Sequence, residues 1–269
     1  MRLQRRLLAG LAALALTAPA AASAQSAGGS SLIAALSGDR TLLTIDTSSR
    51  KVTRRVTVQG VSRLLSIDLR PADGQLYGLD ADGSVVVINP TNGRTTAKSQ
   101  LQTSLPSGVR INVDFNPVVD RLRIVGEDGT NLRANVDDGT VTVDPDLNFP
   151  PPAAGGPDPG TPNVLAAAYT NNVPGTTSTL LYDITARDIL YLQLPANSGT
   201  LNTVGGLGIN VQNFGFEIQT RDGRNRGWIV SGTNIYEIDL SGGRVFNRRG
   251  LSNLNGAVVR DITALRQGG

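Results

Sequence analysis

The stretch 64-LLSIDLRPADGQLYGLDADGSVVVINPTNGRTTAK-98 decides the fold. It holds three short apolar runs, Leu64 to Leu69, Gln75 to Leu79 and Ser84 to Ile88, and then a polar, threonine-rich run from Arg94 to Lys98. Between them lie Pro71-Ala72-Asp73-Gly74, Ala81-Asp82-Gly83 and Asn89-Pro90-Thr91-Asn92-Gly93. Gly and Asn accept the positive φ that tight turns require, and Pro presets the turn entry. Four strands joined by such short turns make an antiparallel meander. A lone meander cannot bury both faces, so the unit must recur or find a partner.

It recurs. The segment 110-RINVDFNPVVDRLRIVGEDGTNLRANVDDGTVTVD-144 repeats it. Asp68 aligns with Asp114, Pro71 with Pro117, Asp82-Gly83 with Asp128-Gly129 and Asn92-Gly93 with Asp138-Gly139, at a step of 46 residues. That step fits one four-stranded propeller blade. Downstream, Asn148 to Pro162 (NFPPPAAGGPDPGTP) carries six prolines in fifteen residues and reads as an insertion between blades. Divergent units then begin at Val164 and Asn213.

The ends complement each other. Leu32 to Leu36, Thr41 to Ile45 and Val52 to Val58 match the second, third and fourth strands of a unit, and Ala257 to Ala264 (AVVRDITA) matches a first strand with nothing after it. Together they make a fifth blade. The expected fold is all-β: a five-bladed β-propeller over 32–265, closed 3+1 by the N- and C-terminal strands, with almost no helix.

Residues 1–24 read as a signal peptide. Arg2, Arg5 and Arg6 form a basic start, Leu7 to Leu16 is apolar, and Ala22-Ser23-Ala24 has the small-x-small form of a cleavage site before Gln25. The apolar run is about half the ~20 residues a membrane span needs. A short, flexible polar lead, 25–31, follows, and the expected location is the periplasm or the medium. The chain has 25 basic and 22 acidic residues. Removing three arginines with the leader leaves 22 of each, so the precursor pI of about 9.6 overstates the charge. A neutral chain without basic runs excludes electrostatic capture of nucleic acid or anionic lipid. The pairs and clusters Arg248-Arg249 and Arg221, Arg224, Arg226 read as solvated hairpin tips. No cysteine means no disulfide framework, and no histidine removes the common zinc ligand and the Ser-His-acid triad.

The candidate site residues are Asp68, Asp114, Glu217 and Asp261. Each is an acid inside an apolar first strand, and with Ala168 they are spaced 46, 54, 49 and 44 residues apart. Innermost strands would gather them near the axis, either as structural hydrogen-bond acceptors or as a cation site, with calcium the candidate ion. No catalytic or cofactor-binding residue is assigned. Asp80-Ala81-Asp82-Gly83 resembles the start of a calcium loop but lacks its later acidic ligands, and is read as a hairpin turn. Gly205-Gly206-Leu207-Gly208 precedes no helix and is no phosphate loop.

The segments LLSIDLRPADGQLYGL (64–79), INVDFNPVVDRLRIV (111–125), AAAYTNNVPGTTSTLLYDI (166–184) and GTLNTVGGLG (199–208), in this order, resemble the bacterial family called domain of unknown function 4394. The resemblance spans 32–265. It implies an extracytoplasmic, propeller-like domain and no activity, since that family offers no established catalytic residues. The expected function is a non-enzymatic binding or scaffold propeller, a monomer whose partner is a protein, glycan or envelope component, with no nucleic acid and no stable membrane insertion. The alternative is a metal-dependent hydrolase or lactonase-like propeller enzyme using the channel carboxylates.

The exported form is expected to begin at Gln25. N-terminal sequencing of the protein from the envelope or medium checks this, and a chain starting at Met1 in the cytosol refutes it.

Overall fold

The computed structural model describes residues 31–152 and 159–266. The expected leader and most of the polar lead lie outside these residues, as does the centre of the proline-rich loop. Of the lead, Ser31 is described; it is buried, and its backbone exchanges bonds with Thr47.

Five four-stranded antiparallel sheets are present. Blade 1 orders its strands β20 (Val259–Leu265), β1 (Leu32–Ser37), β2 (Thr41–Asp46) and β3 (Lys51–Thr57). Blade 2 is β4 (Leu64–Leu69), β5 (Leu76–Asp80), β6 (Ser84–Ile88) and β7 (Thr95–Gln100). Blade 3 is β8 (Ile111–Asn116), β9 (Arg121–Gly126), β10 (Asn131–Ala134) and β11 (Val141–Val143). Blade 4 is β12 (Val164–Tyr169), β13 (Leu181–Thr185), β14 (Ile189–Gln193) and β15 (Leu201–Gly206), and blade 5 is β16 (Phe214–Arg221), β17 (Arg224–Ser231), β18 (Asn234–Ile238) and β19 (Val245–Gly250). The helical content among the described residues is one 3-10 turn, Ala196–Ser198. The first strands meet in a closed cycle, β20 to β4, β8, β12, β16 and back to β20. This is the five-bladed propeller closed 3+1, with Leu32 to Leu36 of β1 paired to Leu265 to Asp261 of β20.

Alternation within each strand sends one set of side chains to the preceding blade and the other to the following one. The core is therefore divided among the seams. Leu36, Leu42, Leu64 and Ile88 fill the seam of blades 1 and 2, and Tyr77, Val85, Phe115 and Ile124 fill that of blades 2 and 3. Val125, Leu147, Tyr169 and Leu201 fill the next, then Ile184, Phe214, Phe216 and Ile229, and finally Ile33, Leu43, Trp228 and Val230.

A second contact joins the blades further from the axis. The turns before β7 and β11 end in Gly93 and Gly139, at φ 74° and 78°. A Cβ on Gly93 would lie 2.2 Å from the Thr57 carbonyl oxygen, and one on Gly139 1.9 Å from that of Gln100. Only glycine permits this approach, and the freed space lets Gln59 and Gln102 donate their backbone N–H groups to the carbonyls of Gly93 and Gly139. Each such turn leans on the outer strand of the blade before it. Of the arginines read as hairpin tips, Arg221 and Arg224 flank the Asp222-Gly223 turn as expected. Arg248 and Arg249 instead lie within β19, an outermost strand whose solvent face is polar.

Truncation after Gly256 removes β20, exposing the inner edge of β1 and unpacking two seams. The truncated protein is expected to aggregate or to lose its cooperative melting transition altogether. Circular dichroism melting beside the 25–269 form decides it, and an unchanged melting temperature would contradict the ring closure.

Candidate functional site

Each first strand has a sheet partner on one side only. Its other edge faces the axis, where N–H groups meet no sister strand. The structure supplies acceptors from the preceding blade in two tiers. In one tier, Asp261 accepts from Ile67 N–H at 2.8 Å, Ser66 Oγ from Val113 N–H at 2.9 Å, and Asn112 Oδ1 from Ala167 N–H at 2.8 Å. In the other, two residues along, Thr263 Oγ1 accepts from Leu69 N–H at 3.1 Å, Asp68 Oδ2 from Phe115 N–H at 2.7 Å, and Asp114 Oδ1 from Tyr169 N–H at 3.0 Å. From blade 1 through blade 3 the rule is constant: the side chain at a tier position holds the backbone one residue beyond the matching position of the next blade.

This corrects the sequence alignment of Asp261. Its structural equivalents are Ser66 and Asn112, and the residue matching Asp68 and Asp114 is Thr263. Ala168 and Glu217 do occupy the same tier as Asp68. Blade 4 contributes Ala166 and Ala168 to the two tiers, so it offers no side-chain acceptor there. Gly215 fills the remaining position, and a Cβ on it would lie 2.5 Å from Ile262 N. Ile262 N–H turns instead to its neighbour's carboxylate, Asp261 Oδ1, at 2.9 Å.

The axial acids are brought together as the spacing predicts. Asp68, Asp114 and Glu217 each place a carboxylate oxygen within 4.8 Å of the others. Asp261 is not in that group; its oxygens take the Ser66 hydroxyl at 2.5 Å and the Asn112 amide at 2.9 Å. All four are buried. Asp68 Oδ1 also accepts from Leu69 N–H and the Thr263 hydroxyl, and Glu217 Oε1 accepts from the Asn172 amide at 2.9 Å. Burial pushes Asp68 up to about 7, partly offset by its donors. Burial and then the charges of Asp68 and Glu217 raise Asp114 well above the carboxylate range. Glu217 is raised likewise, by burial and then by Asp68 and Asp261, and Asp261 rises by burial to about 6. Protonation thus removes like charges that lie close together in a buried site.

One end of the axis is closed by two arginines that the sequence did not single out. Arg110 donates to the carbonyls of Gln212, Phe214 and Arg260 and lies over the Phe214 ring at 5.0 Å. Arg260 donates to the carbonyls of Gly38, Leu65 and Leu64. Burial lowers the pKa of both. Their sequence signal is position: each stands within the turn or strand start that enters a first strand. A further buried cation, Arg123, spans the seam of blades 3 and 4, bonded to Asp144, Asn131 and Asn197 at 2.7 Å each. Asp183, in the same seam, has neither oxygen bonded and is pushed by burial to about 8. The Asp80 to Gly83 turn is a hairpin turn as read: Asp80 accepts from the N–H groups of Ser62 and Arg63, and Asp82 from that of Ser84.

The model of the domain of unknown function DUF4394 matches residues 41–263. The chain belongs to the DUF4394 family. That covers both axial tiers, blades 2 to 5 and all of blade 1 but β1 and the end of β20, so the hydrogen-bonded axis lies within the DUF4394 domain. No curated protein matches the chain. Among solved structures, the chain is similar to a protein of unknown function from Bacteroides caccae at 11% identity, covering 88% of this chain and 100% of that one with a TM-score of 0.44. It is also similar to a structural genomics protein of unknown function from Bacteroides thetaiotaomicron at 13% identity, covering 71% of this chain and 51% of that one with a TM-score of 0.48.

The raised carboxyls fix a pH dependence. Unfolded aspartates titrate near 4, folded Asp68 near 7 and Asp261 near 6. Between these values the folded state holds more protons, so the stability is complete below about pH 4 and is lost as pH rises through the folded values. The melting temperature should fall from pH 5 to pH 8. Asp114→Asn keeps an acceptor for Tyr169 N–H but cannot ionise, so its profile should be flatter and should meet or exceed the wild type at pH 8. A wild-type profile that rises over this range would contradict the protonated axis.

Proposed function

We propose that this protein is a non-enzymatic binding or scaffold propeller that works outside the cytoplasm. The observation that carries the reading is the fate of the axial carboxyls. All four are buried; Asp261, Asp68 and Asp114 accept backbone N–H groups of the next blade, and Glu217 accepts the Asn172 amide. Groups committed in this way hold a ring together and leave little capacity for turnover. The chain also lacks histidine and cysteine, the most adaptable acid-base and nucleophilic side chains. The extracytoplasmic placement rests on the arginine-led apolar leader and its Ala22-Ser23-Ala24 site. Among the described residues, no helix is long and apolar enough to cross a membrane.

The other reading is a metal-dependent hydrolase, and the approach of Asp68, Asp114 and Glu217 to within 4.8 Å is the observation on its side. Calcium takes six to eight oxygens, about twice what three acids provide with one oxygen each. Both oxygens of Asp68 already accept protein donors. Millimolar calcium should therefore leave the melting temperature where a chelator leaves it. A calcium-dependent rise that disappears in Asp114→Asn would instead establish binding to the native state and favour the hydrolase.

A further inference from the structure

The apolar filling between blades 1 and 2 stops short of one face. Leu36, Leu42, Val58 and Ile67 pack that seam, but beyond Leu76 and Ile88 the facing positions turn polar. Blade 1 presents Thr44, Thr53 and Arg54, and blade 2 presents Arg94 and Thr96. A cleft of about 680 Å³ results, in the size range of small-ligand sites. Its inner end is walled by Leu69, Leu265 and Arg266, which also wall a cavity of about 300 Å³ at the mouth of the axis. The two spaces share this wall of three residues.

The charge along this cleft is one-sided. Three guanidiniums, Arg54, Arg94 and Arg266, line the cleft, and no acidic residue does. The neighbouring carboxylates are occupied elsewhere: Asp46 by the Ser48 and Ser49 amides, and Asp73 by Gln75 and the Tyr77 hydroxyl. Arg54 spends one donor on the Thr91 carbonyl at 3.2 Å, across the cleft, and Arg266 one on the Pro71 carbonyl. No hydrogen bond from the Arg94 side chain occurs among the described residues, and none of the three is paired to a carboxylate there. Arg70, by contrast, is fully engaged nearby with Asp120 and Asp137. A guanidinium has five donors in a planar fork that matches a carboxylate or phosphate. The threonine hydroxyls add weaker donors, and the aliphatic floor can carry the body of a chain.

We propose that this cleft binds an anionic ligand bearing two or more oxyanion groups, carboxylate or phosphate, on a chain narrow enough to lie between two blades. The inference rests on the binding reading above and names its ligand class. Arg94 and Arg54 make the outer contacts, and Arg266 makes the inner one where the cleft meets the axial mouth.

The test is calorimetry on the 25–269 form at low ionic strength with three probes: trigalacturonate, inorganic triphosphate and neutral maltotriose. Trigalacturonate and triphosphate separate the carboxylate from the phosphate source, and binding of either or both supports the site. Each guanidinium lost, in R94Q and then R54Q/R94Q, should weaken that binding by about tenfold. Added salt should weaken it further. R249Q, on the exposed strand β19, should bind as the wild type does; R94Q and R249Q should melt near the wild type because neither side chain anchors the fold, and R54Q/R94Q, which also gives up the Arg54 bond to the Thr91 carbonyl, is titrated well below its own melting temperature. The proposal is overturned if neither anion binds, if maltotriose binds as well as they do, or if R54Q/R94Q loses no more affinity than R249Q. Such a failure leaves the non-enzymatic reading standing, since that reading falls only on calcium-dependent melting.

Discussion

The structure depends on a backbone requirement at the axis. Five first strands stand side by side without forming a sheet with one another, so each presents a row of N–H groups to a buried interior. An unpaired buried N–H costs about 1–3 kcal/mol, and a ring of such edges would not hold. For β4, β8 and β12 the side chains of the preceding blade answer it, at Asp261, Ser66 and Asn112 in one tier and at Thr263, Asp68 and Asp114 in the other. What the position requires is an oxygen that accepts. Hydroxyl, amide and carboxyl serve alike, which is why the residue type changes from blade to blade while the bond does not. Where a carboxyl is used, burial disfavours its charged form and raises its pKa, and the neutral form still accepts through its carbonyl oxygen.

The outer glycine turns complete this design at a larger radius. Gly93 and Gly139 set their backbones against Thr57 and Gln100, and the resulting bonds hold the outer strands in step with the inner ones. Blades 4 and 5 are the exceptions at the axis, blade 4 with alanines in both tiers and blade 5 with Gly215 in one and Glu217, which accepts the Asn172 amide, in the other. There Asn172, just past β12, reaches over instead. It accepts from Thr220 N–H at 2.9 Å and donates to Glu217. The seam of blades 4 and 5 is thus fastened at the mouth of the axis and not along its length.

Much of this was legible in the sequence because it is local. Turn residues at Asp82-Gly83 and Asn92-Gly93, alternation in Leu64 to Leu69, and an orphan first strand at the C-terminus specify blades, strand order and closure without any long-range knowledge. The gathering of Asp68, Asp114 and Glu217 followed from their shared strand position. The register of β20 did not. In VVRDITA both Asp261 and Thr263 face the same way, and matching carboxylate to carboxylate chose the wrong one, because the tier selects for acceptance and not for charge. Ser66 and Asn112 were visible in principle, two residues before Asp68 and Asp114 on the same face. Arg110 and Arg260 look like ordinary solvated arginines until the ring closes over them. The cleft has no local signature at all, since its arginines come from blades 1 and 2 and the chain's last described residue.

The pairing of β20 with β1 also sets the order of events during synthesis. Blades 2 to 5 are meanders whose contacts are close in the chain, and each can form as it emerges. The bond from Arg260 to Gly38 spans 222 residues, and the partner of β1 is made last. Closing so long a loop is entropically costly and slow compared with forming a hairpin. Until it happens, the inner edge of β1 and one face of each flanking blade stay uncovered. Until β20 has been made and has paired with β1, a nascent chain of this protein is an open row of blades, and the edge left bare belongs to its first strand.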